Sequence, residues 1–393
     1  MNKYWRMLAI LFALPSISLF SEETVQATDN KCAQPTVAQQ PSAQPVGVMP
    51  QEQKIATNPT ITPSLAPHVA DGTDTYFNLD FIWWKAVVGG MEYAYTGVVD
   101  SLLFTSGFVP LGGSTGEGRV QKPAFTFEPG FKAGMGVNFD HDGWDLFAQY
   151  TFLSSFNETN HLSASSGVGE RNVLQTVTNN VFIPELLPLT SASCKWKQSF
   201  NVIDLELGRD YFISRYLTLR PSAGLKTGWI TEQTKVNYTV LPGYSDEQFP
   251  PQATNNYVNN ILLTYRQNMW GLGVRTALNA GWHFTKNWAI YNDFAFSALW
   301  SDFHIHQKQN LTGSVVGEQT TLHTQESFQT VIPVLEAGLG LSCITWWDSN
   351  RYRFEFRAGW EQQIWLDFNH YMTLGGTGNL SLQGLTLKTM LNF

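Results

Sequence analysis

One short segment groups acid and histidine side chains that could serve in catalysis or metal binding. Asp302, His304 and His306 alternate with other residues, so on a β-strand all three would lie on one face. Two histidines at this spacing could hold a metal ion, but no third ligand follows at a diagnostic spacing. A hydrolase would need a further acid–histidine pair, and the sequence offers none nearby. We therefore predict no catalytic residue, no metal site and no cofactor, and we do not expect an enzyme.

Two Gly-x-Gly pairs could suggest a phosphate-binding loop. They are Gly271 with Gly273 and Gly338 with Gly340. Dinucleotide and phosphate loops require a helix immediately after such glycines, and no helical pattern follows either pair. Close packing on a curved sheet explains these glycines better. The formal net charge of −8 also argues against a nucleic-acid partner, which would favour a basic face.

In several segments the charged side chains occupy every second position, and apolar side chains occupy the positions between them. In residues 351–366 the even positions, such as Phe354 and Trp360, are almost all apolar, whereas odd positions carry groups such as Arg353 and Glu355. Successive side chains of a β-strand point to opposite faces. Residues 144–152, 217–229 and 270–284 separate in the same way. The pattern predicts long strands with one apolar and one polar face.

The composition indicates that lipid contacts the apolar face. Charged residues make up 14% of the chain and aromatic residues another 14%, including 14 Trp. A soluble β-sandwich also alternates, but it tolerates charges on its outer face. A charge that faces lipid at mid-depth costs about 2–4 kcal/mol, which explains why the apolar faces carry almost none. We expect a closed antiparallel transmembrane β-barrel, with its charged face in the lumen.

We predict that the charged residues of the polar faces line this lumen, either as selectivity-determining groups or as a salt-bridge network. These residues are Asp80, Glu128, Lys132, Asp145, Asp204, Glu206, Arg220, Lys226, Arg275, Asp293, Glu336, Arg353, Glu355, Arg357 and Glu361.

Ten strands are expected, joined alternately by short turns and long loops. They lie near residues 75–86, 124–138, 143–156, 195–210, 216–232, 263–284, 287–305, 326–346, 351–366 and 380–393. Short turns on one side and long loops on the other are typical of bacterial barrels, in which the short turns are periplasmic and the long loops extracellular. A hairpin hidden in residues 87–123, with Tyr93, Tyr95, Val98 and Leu103, would widen the barrel to 12 strands.

The N-terminal region differs from the barrel segment, 75–393. Residues 1–21 resemble a secretory signal peptide that is cleaved, with Lys3 and Arg6 before an apolar stretch. Residues 22–74 are rich in Pro, Gln and Thr, and we expect a disordered periplasmic tether. The roles of the three cysteines, Cys32, Cys194 and Cys343, stay open.

Aromatic residues mark the expected membrane interface and the last strand. Four tryptophans flank the short turns and are predicted to form an interfacial girdle: Trp282, Trp288, Trp346 and Trp347. The chain ends in Phe393, and we interpret the last strand as the signal that the barrel-assembly machinery reads. Other expected partners are outer-membrane lipid and lipopolysaccharide, and a homo-oligomer is left open.

Six segments carry a resemblance to a known family: YFNLDFIWWK at 76–85, PGFKAGMG at 129–136, HDGWDLF at 141–147, LELGR at 205–209, LRPSAG at 219–224 and RYRFEFRAGW at 351–360. They resemble the Legionella-type major outer membrane protein family, which also has members among chlamydia-like bacteria. The resemblance covers most of residues 75–393. It implies a pore-forming barrel that is abundant in the cell outer membrane, with no catalytic motif.

Three functions remain open from the sequence. The first is a porin-like barrel that allows passive diffusion of small hydrophilic solutes and also serves as an envelope component. The alternative is a surface adhesin or structural barrel whose lumen is closed by salt bridges, because ten strands form a narrow barrel. An outer-membrane hydrolase is the weakest of the three.

Overall fold

The computed structural model describes residues 74–97, 119–139, 143–162, 173–176, 188–240, 258–313, 317–370 and 378–393. The proposed signal peptide and nearly all of the proposed tether lie outside these ranges, so both stay predictions. Within the described ranges, no helix is long and apolar enough to span a membrane.

Ten strands of the described residues form a closed antiparallel ring. They are β1 (Thr75–Val88), β4 (Phe127–Asn138), β5 (Trp144–Leu162), β7 (Pro188–Arg209), β9 (Leu217–Val240), β10 (Val258–His283), β11 (Trp288–Gly313), β12 (Gly317–Trp347), β13 (Tyr352–Asn369) and β14 (Gly378–Asn392). Each strand pairs with the next in this order, with β7 beside β9, and β14 closes the ring on β1. The closing register runs from Tyr76 opposite Asn392 to Val88 opposite Leu380. The ten-stranded closed barrel is therefore confirmed.

Four short segments lie outside the ring. They are β2 (Ala94–Gly97), β3 (Arg119–Gln121), β6 (Val173–Thr176) and β8 (Tyr211–Phe212). β2 pairs with β3 and with β6, and β6 also pairs with the first residues of β7. The hairpin considered for residues 87–123 thus forms in part, but it does not enter the ring. Val98 and Leu103 lie outside the described residues.

The short turns and both ends of the barrel segment lie at one end of the molecule, which we call the turn end. The opposite end is the loop end. The turn between β12 and β13 places Asp348, Ser349 and Asn350 at positive φ, with values of 51°, 54° and 73°. Asp and Asn tolerate this left-handed conformation better than most residues, so the sequence supports a tight reversal here.

Alternation along each strand places apolar side chains outside and polar ones inside. Phe356 and Trp360 are 37% and 49% exposed on the outer face, whereas Arg353 and Glu355 are buried in the lumen. Trp270 and Trp282 on β10 are separated by about 12 residues, or about 40 Å of strand. A tilt of about 45° leaves about 28 Å along the membrane normal, close to the thickness of a hydrocarbon core. The outer apolar band therefore fits a bilayer.

Glycines on the lumen side let neighbouring strands approach closely. A Cβ added at Gly273 would overlap the carbonyl oxygen of Ala298 on β11, and one at Gly340 would overlap that of Ala358 on β13. Both glycines belong to the Gly-x-Gly pairs of the sequence. Their spacing reflects a curved sheet.

Candidate functional site

The lumen of the barrel has two chemically different halves. Along β1 the inward side chains change from Asn78 and Asp80 near the turn end to Ile82 and Trp84 nearer the loop end. The same change occurs on the other strands. We call these parts the charged half and the apolar half. A cavity of about 280 Å³ lies in the charged half and reaches Asn138 at the turn end.

Arg220 on β9 links two acidic side chains of the charged half. It binds Asp145 through two hydrogen bonds, from Nε to Oδ1 at 2.8 Å and from Nη2 to Oδ2 at 2.7 Å. Its Nη1 lies 3.3 Å from Glu206 Oε2. The Tyr76 hydroxyl donates a further hydrogen bond to Asp145 at 2.9 Å. This bidentate geometry fixes the orientation of the guanidinium group.

Arg275 and Lys226 continue this network. Arg275 donates from Nε to Glu206 at 2.8 Å and from Nη1 to Glu336 at 2.6 Å. Lys226 pairs with Asp204 at 2.6 Å and with Glu336 at 3.0 Å. Lys226 on β9 and Glu336 on β12 are not on neighbouring strands, so this ion pair crosses part of the lumen.

A second group of ion pairs joins the other side of the ring. Lys132 on β4 contacts Glu361 on β13 at 2.5 Å. Lys388 on β14 contacts Glu361 at 2.6 Å and Asp293 at 3.0 Å. The Lys132 ammonium also lies 4.7 Å from the centre of the Trp84 ring. Lys132 therefore marks the boundary between the charged half and the apolar half.

The charged half is almost electrically balanced. Its carboxylates are Asp80, Asp145, Asp204, Glu206, Asp210, Asp293, Glu336, Glu355 and Glu361, and its cations are Lys132, Arg220, Lys226, Arg275, Arg353, Arg357 and Lys388. Most of these groups are already paired within the protein. Paired, balanced charges hold the lumen together more than they create a field for one sign of ion.

Aromatic side chains fill the apolar half. The fully buried Trp and Phe side chains among them, which we call the apolar plug, are Trp84, Trp196, Phe200, Phe303, Trp365 and Phe368. Phe200 on β7 and Trp365 on β13 lie on opposite sides of the ring, yet their rings meet edge to face with centroids 5.6 Å apart. This contact joins opposite walls of the barrel across the lumen.

The end of β13 folds into the lumen as part of the plug. Asp367 has a φ of 52°, and the pairing with β14 shifts between Trp365 and Asn369. Phe368 is turned inward by this irregularity and is fully buried. Gln267 on β10 donates to the Phe368 carbonyl at 2.9 Å and accepts from the His370 amide at 3.0 Å. The inserted segment is thus held by β10, three strands away in the ring.

Thirteen of the fifteen predicted lumen residues line the cavity of the charged half. Lys226 also points inward, but it is fully buried beneath its ion pairs. Glu128 has inward parity opposite Trp84, but it does not line this cavity, and Thr126 donates a hydrogen bond to it at 2.9 Å. Sequence reasoning missed Lys388, although its polar parity on the last strand could have revealed it. It also missed Glu232, which is buried in the apolar half beside Gln198.

Three of the four predicted girdle tryptophans lie on the outer face near the turn end. Trp282, Trp288 and Trp347 are 55%, 45% and 44% exposed. Trp346 departs from this set because its position on β12 has inward parity, and the Arg353 guanidinium lies over its ring. Membership of an interfacial girdle stays a prediction for the other three.

Phe393 lies at the seam that closes the barrel. Its ring stacks on Phe77 with centroids 5.6 Å apart, and its amide donates to the Thr75 carbonyl at 3.1 Å. The last residue of the chain is therefore packed against the first strand on the outer face.

Two of the three cysteines lie near opposite ends of the barrel, because Cys194 is buried in the apolar half and Cys343 lies near the turn end. Cys32 is outside the described residues.

Asp302, His304 and His306 share the outer face of β11, as their alternation predicted. His304 Nε2 lies 3.2 Å from Asp302 and its Nδ1 lies 2.7 Å from Ser327 Oγ. Among the described residues, no group of three or more such side chains could hold a metal ion.

Comparison with solved structures gives only distant similarities. A Pseudomonas aeruginosa FadL homologue shares 10% identity at a TM-score of 0.25, covering 81% of this chain and 90% of that one. The Pseudomonas putida toluene transporter TodX shares 8% identity at a TM-score of 0.22, covering 83% and 91%. Scores this low carry no argument about function. A search of curated proteins found no match.

A family model gives a much more direct result. The model described as Legionella pneumophila major outer membrane protein precursor matches residues 67–393. The match includes every described strand of the barrel. The chain therefore belongs to the Legionella pneumophila major outer membrane protein family and is an outer-membrane β-barrel protein.

Proposed function

We propose that this barrel serves as a structural component of the outer membrane whose lumen is closed to general diffusion in its resting conformation. The observation that supports this proposal best is the contact between Phe200 and Trp365, which joins opposite strands inside the ring. The ion pairs of the charged half add a second layer of contacts across the lumen. A ten-stranded barrel is narrow enough for side chains to occupy its interior, unlike the 16-stranded porins with open channels.

Planar-bilayer recording of the purified, folded protein tests this proposal. We expect no discrete conductance steps from the wild-type barrel. A double variant, F200A/W365A, should produce steps, because it removes both rings from the narrowest level of the apolar half. The matched control is F156A/W360A, which removes one Phe and one Trp from the outer face. The control should stay silent like the wild type.

Passive diffusion of small hydrophilic solutes is the second candidate function. The observation that favours it is the charged cavity, which polar side chains line and which reaches the turn end. Discrete steps from the wild-type protein would support this function and contradict a closed resting lumen. A solute would then have to pass the apolar plug. Within the plug, the segment around Phe368 is the part that is not paired with neighbouring strands on both sides.

A further inference from the structure

A group of basic side chains lies on the outer face near the loop end. We define this basic band as Lys197 on β7, Lys235 on β9, Arg266 on β10, His306 and Lys308 on β11, and His323 on β12. The strand register places these residues in two adjacent rows. Lys197, Gln233, Arg266 and His306 form one row across the sheet, and Lys235, Thr264, Lys308 and His323 form the next.

The basic band lies just beyond the outer apolar band. Trp229 and Trp270 face each other in the register of β9 and β10, and both are exposed on the outer face. Arg266 follows on the loop side of Trp270 by about four residues, which is about 9 Å along the membrane normal for a strand tilted by about 45°. This distance places the Arg266 guanidinium at the depth of lipid headgroups. The band therefore continues the lipid-facing surface into the polar layer.

Little within the described part of the chain neutralises these cations. The nearby carboxylates have other partners, because Glu158 pairs with Lys195 at 3.0 Å and Asp302 lies 3.2 Å from His304. No described carboxylate lies within ion-pair distance of Lys235, Arg266 or Lys308. The excess of positive charge is notable in a chain whose formal net charge is −8.

The band also contains a shallow depression. Its volume is about 280 Å³, and Thr264, Arg266, His306 and Lys308 contribute to its lining. Most of its lining is apolar side-chain surface, and no carboxylate contributes to it. Arg and Lys bind phosphate oxygens through charge-assisted hydrogen bonds, and a carboxylate-free depression suits such an anion.

We infer that the basic band binds the phosphate groups of a phosphorylated glycolipid in the outer leaflet. The inference goes beyond the proposed function and does not depend on whether the lumen conducts. It rests on the long loops facing outward, as in other bacterial barrels. Each basic residue at an anionic lipid surface strengthens binding roughly fivefold, so three of them together account for roughly 100-fold.

The experiment compares two triple variants of the full chain, folded in detergent micelles. K235Q/R266Q/K308Q removes three charges from the basic band. The control, R215Q/K286Q/R351Q, removes three exposed charges from the turn end. Each protein is titrated with bisphosphorylated lipid A while its thermal unfolding midpoint is followed, since a ligand that binds the folded state raises this midpoint. Circular dichroism checks that each variant retains its β-structure, and the single variant K308Q provides a milder change.

We expect lipid A to stabilise the wild type and the control equally, and to bind the band variant roughly 100-fold more weakly. K308Q should show a roughly fivefold loss. Dephosphorylated lipid A should bind all proteins weakly. Equal binding by the band variant and the wild type would overturn the inference, as would equal binding of phosphorylated and dephosphorylated lipid A. Equal protection by inorganic phosphate alone would indicate a simple anion site and would also contradict a lipid site.

Discussion

At the scale of single residues, the lumen depends on charges that are buried and paired. The Lys226 side chain has no exposed surface, and it contacts both Asp204 and Glu336. Replacing a whole buried ion pair with apolar groups can be nearly neutral, but removing one partner leaves an uncompensated charge. The charged half should therefore be sensitive to single substitutions.

The substitution Lys226→Met tests this sensitivity. We expect it to lower the free energy of unfolding by about 3–5 kcal/mol, because Asp204 and Glu336 lose a shared cation in a buried site. Urea unfolding of the protein in lipid vesicles, followed by tryptophan fluorescence, measures the change. The matched control is Lys195→Met, whose partner is Glu158 and whose side chain is 52% exposed. An exposed pair contributes about 0–1 kcal/mol, so equal effects of the two substitutions would contradict our interpretation.

At the scale of elements, close approach of strands constrains the glycines of β12. Gly338 and Gly340 both face the lumen, but their surroundings differ. A Cβ at Gly340 would overlap backbone atoms of β13, whereas a Cβ at Gly338 would lie 3.4 Å from the Glu361 side chain. Backbone cannot move aside as a flexible side chain can. Only Gly340 is therefore required by the packing of the two strands.

Alanine substitutions at the two positions should separate these cases. We predict that Gly340→Ala lowers the free energy of unfolding by about 1–3 kcal/mol, because β12 and β13 must move apart. Gly338→Ala should leave it unchanged or raise it by up to about 1 kcal/mol, since alanine reduces the entropy of the unfolded chain. The same urea unfolding assay reports both values. A larger loss at position 338 than at position 340 would be incompatible with this packing.

At the scale of the whole molecule, the bilayer determines which outer positions can carry charge. Leu339 lies near the middle of the outer apolar band of β12, and Val331 lies at its loop-side edge. Both are more than half exposed on the outer face. Because the cost of a lipid-facing charge depends on depth, these two positions should differ even though their surroundings within the protein are similar.

Arginine substitutions measure this dependence on depth. We expect Leu339→Arg to cost about 2–4 kcal/mol of unfolding free energy in lipid vesicles, and Val331→Arg about 0–1 kcal/mol. Comparing each variant in vesicles and in detergent micelles separates the membrane term from local packing. Equal costs at both positions would show that β12 does not cross the hydrocarbon core in the way described.

Much of the architecture follows from local sequence. The alternation of apolar residues such as Phe356 with charged residues such as Glu355 fixes which face of a strand contacts lipid, because lipid excludes charged side chains. Short turn segments such as Asp348 to Asn350 fix where strands reverse. Strands that follow each other in sequence pair in an antiparallel barrel, whether a short turn or a long loop joins them, so ten strands and their order could be predicted. Only their extension at the loop end was underestimated, as on β12.

The interior of the barrel could not be predicted in the same way. Parity places Lys132, Glu361, Phe200 and Trp365 on the inner face, but it gives neither their partners nor their depth. Lys132 and Glu361 are 229 positions apart in sequence and meet only after the ring has closed. The inward turn of Phe368 depends on an irregularity at the end of β13 that breaks the alternation. Thus the sequence by itself determined the wall and its orientation toward lipid, because those depend on neighbouring residues. The tertiary structure alone decided that ion pairs and aromatic rings fill the lumen, because contacts across a closed ring depend on its width and on the depth of each strand.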